Sequence, residues 1–99
     1  MPQHCGRGRR RGMRWVSHIP PESEFRTNMV INNERDIVIL SVPEVEALRL
    51  VDLQNLTQEQ AAMEMGVSRK TLWNDLKEGR KKVALALSTG RTIRIEQRR

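Results

Sequence analysis

The chain has 99 residues and a mass of 11.5 kDa, enough for one small domain with a tail and too few for a two-domain enzyme with a cleft between domains. Hydrophobic residues make up 37% of it and the aromatics are only Trp15, Phe25 and Trp73, so the core must be built from Leu, Val, Ile, Met and Ala, and a large buried pocket is excluded. The net charge is +6 and unevenly placed. Residues 1–14 hold five arginines and no acid, residues 15–68 nine acids against three bases, and residues 69–99 ten bases against three acids. Basic ends around an acidic middle suggest a molecule that meets a polyanion with its ends.

The first element is an arm, residues 1–35. Its Gly6-Arg-Gly-Arg-Arg-Arg-Gly12 run cannot build a core, and Pro20-Pro21 blocks a helix. This predicts a largely disordered basic arm with a few anchors at Trp15, Ile19 and Phe25. No apolar run follows the basic start, so no secretory leader is expected. Cys5 is the single cysteine, which excludes an internal disulfide. With His4 and His18 the only histidines, four well-spaced ligands for a structural zinc are lacking. No metal, cofactor or catalytic residue is therefore expected, and no enzyme. The Gly-rich run opens no helix and so is not a phosphate loop.

The second unit, residues 36–99, should be the folded domain. Ile37-Val38-Ile39-Leu40 is β-branched and predicts a short strand. It is also the longest apolar run, far short of a membrane span. Ser41 or Val42 leads into Pro43, a good first-turn residue. A first helix follows over Glu44 to Leu53, with Val45, Ala47, Leu48, Leu50 and Val51 as its apolar set. Gln54-Asn55 breaks it, and Leu56 is a core anchor. Thr57-Gln58-Glu59-Gln60 has capping-box form. It opens a second helix that runs to about Met65, with Ala61, Ala62 and Met65 inward. Gly66 supplies the left-handed end, Val67 fills the gap, and Ser68 caps a third helix.

The third helix, about 69–88, shows the clearest period. Leu72, Leu76, Gly79, Val83 and Ala86 recur at alternating spacings of four and three, one face of a helix. The other side carries Arg69, Lys70, Trp73, Asn74, Lys77, Arg80 and Lys81. Gly90 is its C-terminal cap. Thr92-Ile-Arg-Ile-Glu96 alternates as a strand that pairs with Ile37–Leu40. A two-stranded ribbon is marginal alone, and it must lie on the helices or join a second copy. The fold class expected is mainly α: a three-helix, helix-turn-helix domain with a short two-stranded ribbon.

Helix, sharp turn at Gly66, helix is the arrangement that holds one long helix side free for the major groove, which admits a helix. Residues 41–87 resemble the helix-turn-helix of sigma-factor region four. The resemblance is carried by Glu46-Ala-Leu-Arg-Leu-Val51, Leu56-Thr-Gln-Glu-Gln-Ala-Ala62, Met65-Gly-Val-Ser-Arg-Lys-Thr-Leu72 and Gly79-Arg-Lys-Lys-Val83. About two thirds of the chain is similar in order and spacing to a small prokaryotic family of uncharacterised proteins predicted to bind DNA. The pieces that match are Pro43-Glu-Val-Glu-Ala-Leu-Arg-Leu-Val-Asp52, the helix-turn-helix and Thr92-Ile-Arg-Ile-Glu96. The chain departs from that pattern at its Gly-Arg-rich start and in lacking a second cysteine near Cys5. The resemblance implies DNA binding and supplies no target.

By position, Ser68, Arg69, Lys70, Thr71, Trp73 and Asn74 would face base edges in double-stranded DNA. Arg69 or Lys70 suits guanine and Asn74 adenine. Lys77, Arg80 and Lys81 would meet phosphates, and Thr57 and Gln58 offer backbone N–H groups at a helix start. Arg7, Arg9, Arg10 and Arg11 would enter a minor groove or track phosphates. Each position has a plainer alternative. Arg69, Lys70 and Lys77 could be a solvated face, Asn74 an unpartnered surface residue, and the arm a solvated tail. Trp73 could lie in the core or a dimer seam. The expected function is a sequence-specific transcriptional regulator, cytoplasmic and nucleoid-associated, not membrane-bound. A homodimer through residues 83–96 is expected, because Val83-Ala-Leu-Ala-Leu87 exceeds what three helices need. Two alternatives stand beside it. One is a protein-interaction module contacting RNA polymerase or another protein. The other is nonspecific nucleic-acid binding through the arm.

Overall fold

The computed structural model describes residues 14–27 and 36–96. Among them the elements are strand β1 (Glu24–Phe25), strand β2 (Ile37–Ser41), helix α1 (Val42–Leu48), a π-helical segment (Arg49–Leu53), α2 (Gln58–Met65), α3 (Arg69–Thr89) and β3 (Thr92–Glu96). No helix among the described residues is long and apolar enough to cross a membrane.

The sheet differs from the ribbon expected. It has three strands in the order β1-β3-β2, and it is mixed. β2 and β3 do pair, but in parallel, with Val38 beside Ile93 and Leu40 beside Ile95. The helices between them form the crossover that a parallel pair requires. β1 adds antiparallel to the other side of β3, with Glu24 beside Arg94 and Phe25 beside Ile93. The central position of β3 removes the marginality of a lone ribbon.

The start of the described chain also corrects the expected arm. Residues 14–27 lie on the domain rather than apart from it. The Trp15 N–H donates to the Met65 carbonyl at 2.8 Å, and Ile95 N–H donates to the Ser23 carbonyl at 2.7 Å. Of the three expected anchors, Trp15 packs, whereas Ile19 and Phe25 remain more than half exposed. Residues 1–13, with Arg7 to Arg11, lie outside the described residues.

Each helix begins where its sequence provides a cap. The Ser41 hydroxyl accepts from Glu44 N–H while the Glu44 carboxylate accepts from Ser41 N–H, a capping box with Pro43 in the first turn. α1 runs directly into the π-helical segment, so residues 42–53 form one continuous rod. It ends at Gln54, whose N–H donates to the Arg49 carbonyl. Asn55 follows at φ 62°, a left-handed conformation that asparagine tolerates better than most residues.

Thr57 and Gln60 form the second capping box. α2 ends at Gly66, φ 65°, with Val67 N–H returning to the Ala62 carbonyl, a Schellman closure. The Ser68 hydroxyl accepts from Thr71 N–H and starts α3, which ends at left-handed Gly90.

Most of the core is the set expected of the helices, but Val45 and Val83 are only half-buried, and α1 buries Glu44 and Glu46 in ion pairs and caps. Ala47, Leu50, Ala61, Ala62, Met65, Leu72 and Leu76 are buried together, with Leu48, Val51, Leu56 and Val67 packed against them. Val38 and Leu40 of β2 and Ala86 of α3 are buried as well. Gly79 lets α3 approach α1 closely. A Cβ there would stand 3.2 Å from Leu48 Cδ1 and 3.3 Å from the Glu44 carbonyl oxygen, tighter than ordinary contact.

Candidate nucleic-acid interface

α3 is 21 residues long, about 30 Å at the usual rise. At about 100° per residue, Leu72, Leu76, Gly79, Val83 and Ala86 fall on one side and Lys70, Asn74, Lys77 and Lys81 on the opposite side. All four of the latter are exposed, as are Ser68, Arg69, Trp73 and Arg80. Thr71 is half-buried, turned toward the flank, where its hydroxyl bonds Ser68 Oγ at 3.1 Å. Trp73 is 39% exposed, on the edge of the outward face and outside the buried core.

Asp75, Arg80 and Lys82 on the flanks of α3 are ion-paired, whereas its outward lysines are not, among the described residues. On one flank Arg80 forks onto Asp52, with Nη2 to Oδ1 at 2.7 Å and Nε to Oδ2 at 3.1 Å. This hydrogen-bonded arginine holds the Asp52 carboxyl below its ordinary range, and the carboxylate raises the Arg80 guanidinium in turn. On the other flank Arg14 forks onto Asp75 at 2.9 and 3.1 Å. Burial nevertheless pushes the Asp75 carboxyl up, outweighing the arginine that lowers it. Lys82 joins the Glu44 carboxylate at 3.0 and 3.1 Å, tying α3 to the start of α1. Arg69, Lys70, Lys77 and Lys81 make no ion pair within 4.0 Å among the described residues. Arg80, expected to meet phosphate, is thus engaged with Asp52.

At the start of α2, Thr57 is exposed and Gln58 half-buried. The capping box occupies the Thr57 and Gln60 N–H groups. The N–H groups of Gln58 and Glu59 stand in the first turn, beside the Glu59 side chain, whose charge opposes an anion there.

Three features were missed by sequence reasoning. The Trp15 ring lies on Gly66, so closely that a Cβ at Gly66 would stand 2.7 Å from Trp15 Cδ2. The turn between α2 and α3 is therefore clamped from outside. Arg14 continues that clamp to Asp75. Glu46 is 2% exposed and accepts from Ser17 N–H, Ser17 Oγ and the Arg49 guanidinium. The Arg49 guanidinium is raised chiefly by that hydrogen bond. The only local signal was Glu46 and Arg49 at i and i+3 on a helix; the others join residues far apart in the chain.

A family described as protein of unknown function DUF134 matches residues 1–98. The chain belongs to this family. A relative named UPF0251 protein from Methanosarcina acetivorans is 46% identical over 90 residues, covering 91% of this chain and 80% of the relative. Another from Pyrococcus furiosus is 46% identical over 91 residues, covering 91% of this chain and 84% of the relative. A third, from Methanocella arvoryzae, is 44% identical over 86 residues, and the chain spans 52% of that longer relative. No solved structure matches.

Proposed function

We propose that the chain is a sequence-specific duplex-DNA-binding protein, a transcriptional regulator, in which α2, the Gly66 turn and α3 act as a helix-turn-helix. The observation that carries this reading is the selective placement of charge on α3. On its flanks Asp75, Arg80 and Lys82 are paired within the domain, whereas Arg69, Lys70, Lys77 and Lys81 are exposed without an ion-pair partner among the described residues, against the single acid Glu78. A face held rigid and unpaired on a helix of major-groove diameter suits a polyanionic groove.

In this reading Lys77 and Lys81 bind phosphate and attract the duplex. Arg69, Lys70 and Asn74, on the first two turns, meet base edges. Trp73 and Ser68 border that contact, and Thr57 and Gln58 lie beside it. The chemistry is recognition, without a catalytic step.

The test is selection from a random duplex library at two salt concentrations, with the wild type and two variants. An enriched sequence is expected for the wild type. Arg69→Ala with Asn74→Ala should abolish the preference while salt-sensitive binding persists. Lys77→Ala with Lys81→Ala should weaken all sites evenly and lower the salt slope by about 2. Salt-dependent binding with no enriched sequence would overturn the base-reading role of α3.

A protein-interaction module is the second reading. It is favoured by an open groove beside α1, lined by Pro20, Pro21, Val45, Leu48 and Leu53, with Leu53 73% exposed. Leu53→Glu should abolish binding to purified RNA polymerase if that groove is used, and leave DNA binding intact.

A further inference from the structure

We infer that Arg14, Trp15 and Ser17 are positioning residues for the reading face of α3: they set the angle between α2 and α3, and discrimination between base sequences depends on that angle. The inference rests on the DNA-binding reading above and deepens it.

α2 by itself is a small support for the start of α3. It has eight residues, about 12 Å of helix. It buries Ala61, Ala62 and Met65, and the two alanines bring one methyl each to the contact. Residues 14–17 lie across the motif and add to that support. Trp15 takes the end of α2. Its N–H donates to the Met65 carbonyl at 2.8 Å, one of the carbonyls that a helix end leaves open, and its ring lies on Gly66, where a Cβ would stand 2.7 Å from Cδ2. The preceding residue, Arg14, takes α3, forking onto Asp75 at 2.9 and 3.1 Å. Two adjacent residues thus hold the two helices of the motif, one each.

This strap is itself fixed. The Arg14 side chain is 22% exposed and that of Asp75 12%, so solvent screens the pair less than a surface one, and a planar guanidinium fork accepts a carboxylate in one orientation. Ser17 ties the strap to α1 through its N–H and hydroxyl, which donate to Glu46 Oε2 at 3.2 and 3.0 Å. Glu46 is held in turn by the Arg49 guanidinium. The start of α3 is therefore referenced to α1 as well as to α2.

Asp75 follows Asn74, a step of about 100° around the helix, so the fork stands beside the outward face and leaves it open. What the strap controls is direction. Bonds to base edges weaken steeply off line, and such a constellation needs its groups within about 0.5 Å and 10–20°. Lysines that meet phosphate are point charges on flexible stems and tolerate a tilt. Loosening the strap should therefore remove sequence preference and leave nonspecific attraction.

The experiment is fluorescence anisotropy with two duplexes of equal length: the one that the wild type enriches from a random library, and a scrambled one. The variants are Trp15→Ala, Trp15→Phe, and Arg14→Ala combined with Asp75→Asn, all of unchanged net charge. The ratio of affinities for the two duplexes should fall about tenfold in Trp15→Ala and about fivefold in the double variant, as expected when one base-edge contact is misplaced. Affinity for the scrambled duplex and the salt slope should stay as in the wild type. Trp15→Phe should keep the wild-type ratio, because its ring still covers Gly66. Lost stability alone would weaken binding to both duplexes equally. Such an equal loss, or a ratio unchanged in either disruptive variant, overturns the inference. A wild type that enriches no duplex overturns the reading of α3, and this inference with it. Should Trp15→Ala lose its cooperative melt, the double variant decides, because Asp75→Asn removes the buried charge that Arg14→Ala alone would strand.

Discussion

At the residue scale, Gly66 shows how one position serves two requirements. Its φ of 65° closes α2, and the missing Cβ admits the Trp15 ring. Gly66→Ala meets both obstacles. A left-handed alanine costs roughly 1–2 kcal/mol, and its methyl would stand 2.7 Å from Trp15 Cδ2, forcing the ring off. The expected loss is about 2–3 kcal/mol, from backbone strain plus displaced packing, read as a lower urea midpoint. Trp15 fluorescence should shift to the red even in the folded protein. An unchanged midpoint would mean that the clamp carries no stability.

Arg14 and Asp75 extend the same argument into pH. Burial raises the Asp75 carboxyl despite the arginine on it. A raised carboxyl binds protons more readily folded than unfolded. Its contribution to stability is therefore fullest below the unfolded value of 3.8 and declines as pH rises through the raised folded value. Arg14→Ala removes the pairing cation and leaves a largely buried carboxylate, at a cost of about 1–3 kcal/mol at pH 7. That deficit should shrink on acidification, because a protonated Asp75 no longer needs the cation. Adding Asp75→Asn to Arg14→Ala should recover much of the loss at pH 7. Urea titrations of wild type, single and double variants at pH 7 and near pH 4.5 test this. A deficit that stays constant with pH would assign it to lost Arg14 packing instead.

At the scale of elements, what was legible in the sequence was local. Ser68, Thr57 and Gly66 announce their helix ends because a cap needs only residues within a turn. The Leu72, Leu76, Gly79, Val83 and Ala86 stripe announces the buried side of α3 because helical period is a property of the segment. The partners of Arg14, Ser17 and Glu24 were not legible. They pair across 61, 29 and 70 positions, and only the assembled core brings them together. β1 has just two residues, too few for a periodic signal, and strand direction depends on where β3 returns. The outward residues of α3 were legible as a group, but the pairing of Arg80 with Asp52 was hidden by the same distance effect.

That pairing yields a prediction about α3 and the segment after α1. Arg80 and Asp52 are each more than 40% exposed, so their bond contributes little stability, about 0–1 kcal/mol. Its larger consequence is that Arg80 is engaged beside the outward face. Asp52→Asn should leave the urea midpoint nearly unchanged. Under the proposed DNA-binding function it should strengthen binding to duplex DNA and steepen the salt dependence by about one counterion, since the released guanidinium can then meet phosphate. Fluorescence-anisotropy titrations across a salt series measure both effects. Unchanged affinity and slope would place Arg80 outside the interface.

At the scale of the whole molecule, the question is what the far end of α3 faces. The expected dimer surface is residues 83–96; within it β3 lies between β2, paired along its length, and β1, paired at Ile93 and Arg94. What remains for a second copy is the helix end and its surroundings. Leu87 is 78% exposed and Phe25 54%, and Phe25, Ala86, Leu87 and Ile93 line one shallow groove there. Clustered exposed apolar side chains on a small protein mark a contact surface more often than isolated ones do. α3 is about 30 Å long, so the first two turns at its start are well separated from Leu87. A dimer joined at this end would hold two base-reading faces outward, as a two-fold operator requires. If this end is a dimer seam, the wild type should have a dimeric mass and Leu87→Glu a monomeric one by light scattering at micromolar concentration. Because Leu87 is mostly solvent-exposed, its thermal stability as a monomer should be little changed. Under the same reading, the variant should enrich single half-sites from a duplex library where the wild type enriches inverted pairs. A wild type that is already monomeric would remove the seam, and one that stays dimeric as Leu87→Glu would place it elsewhere.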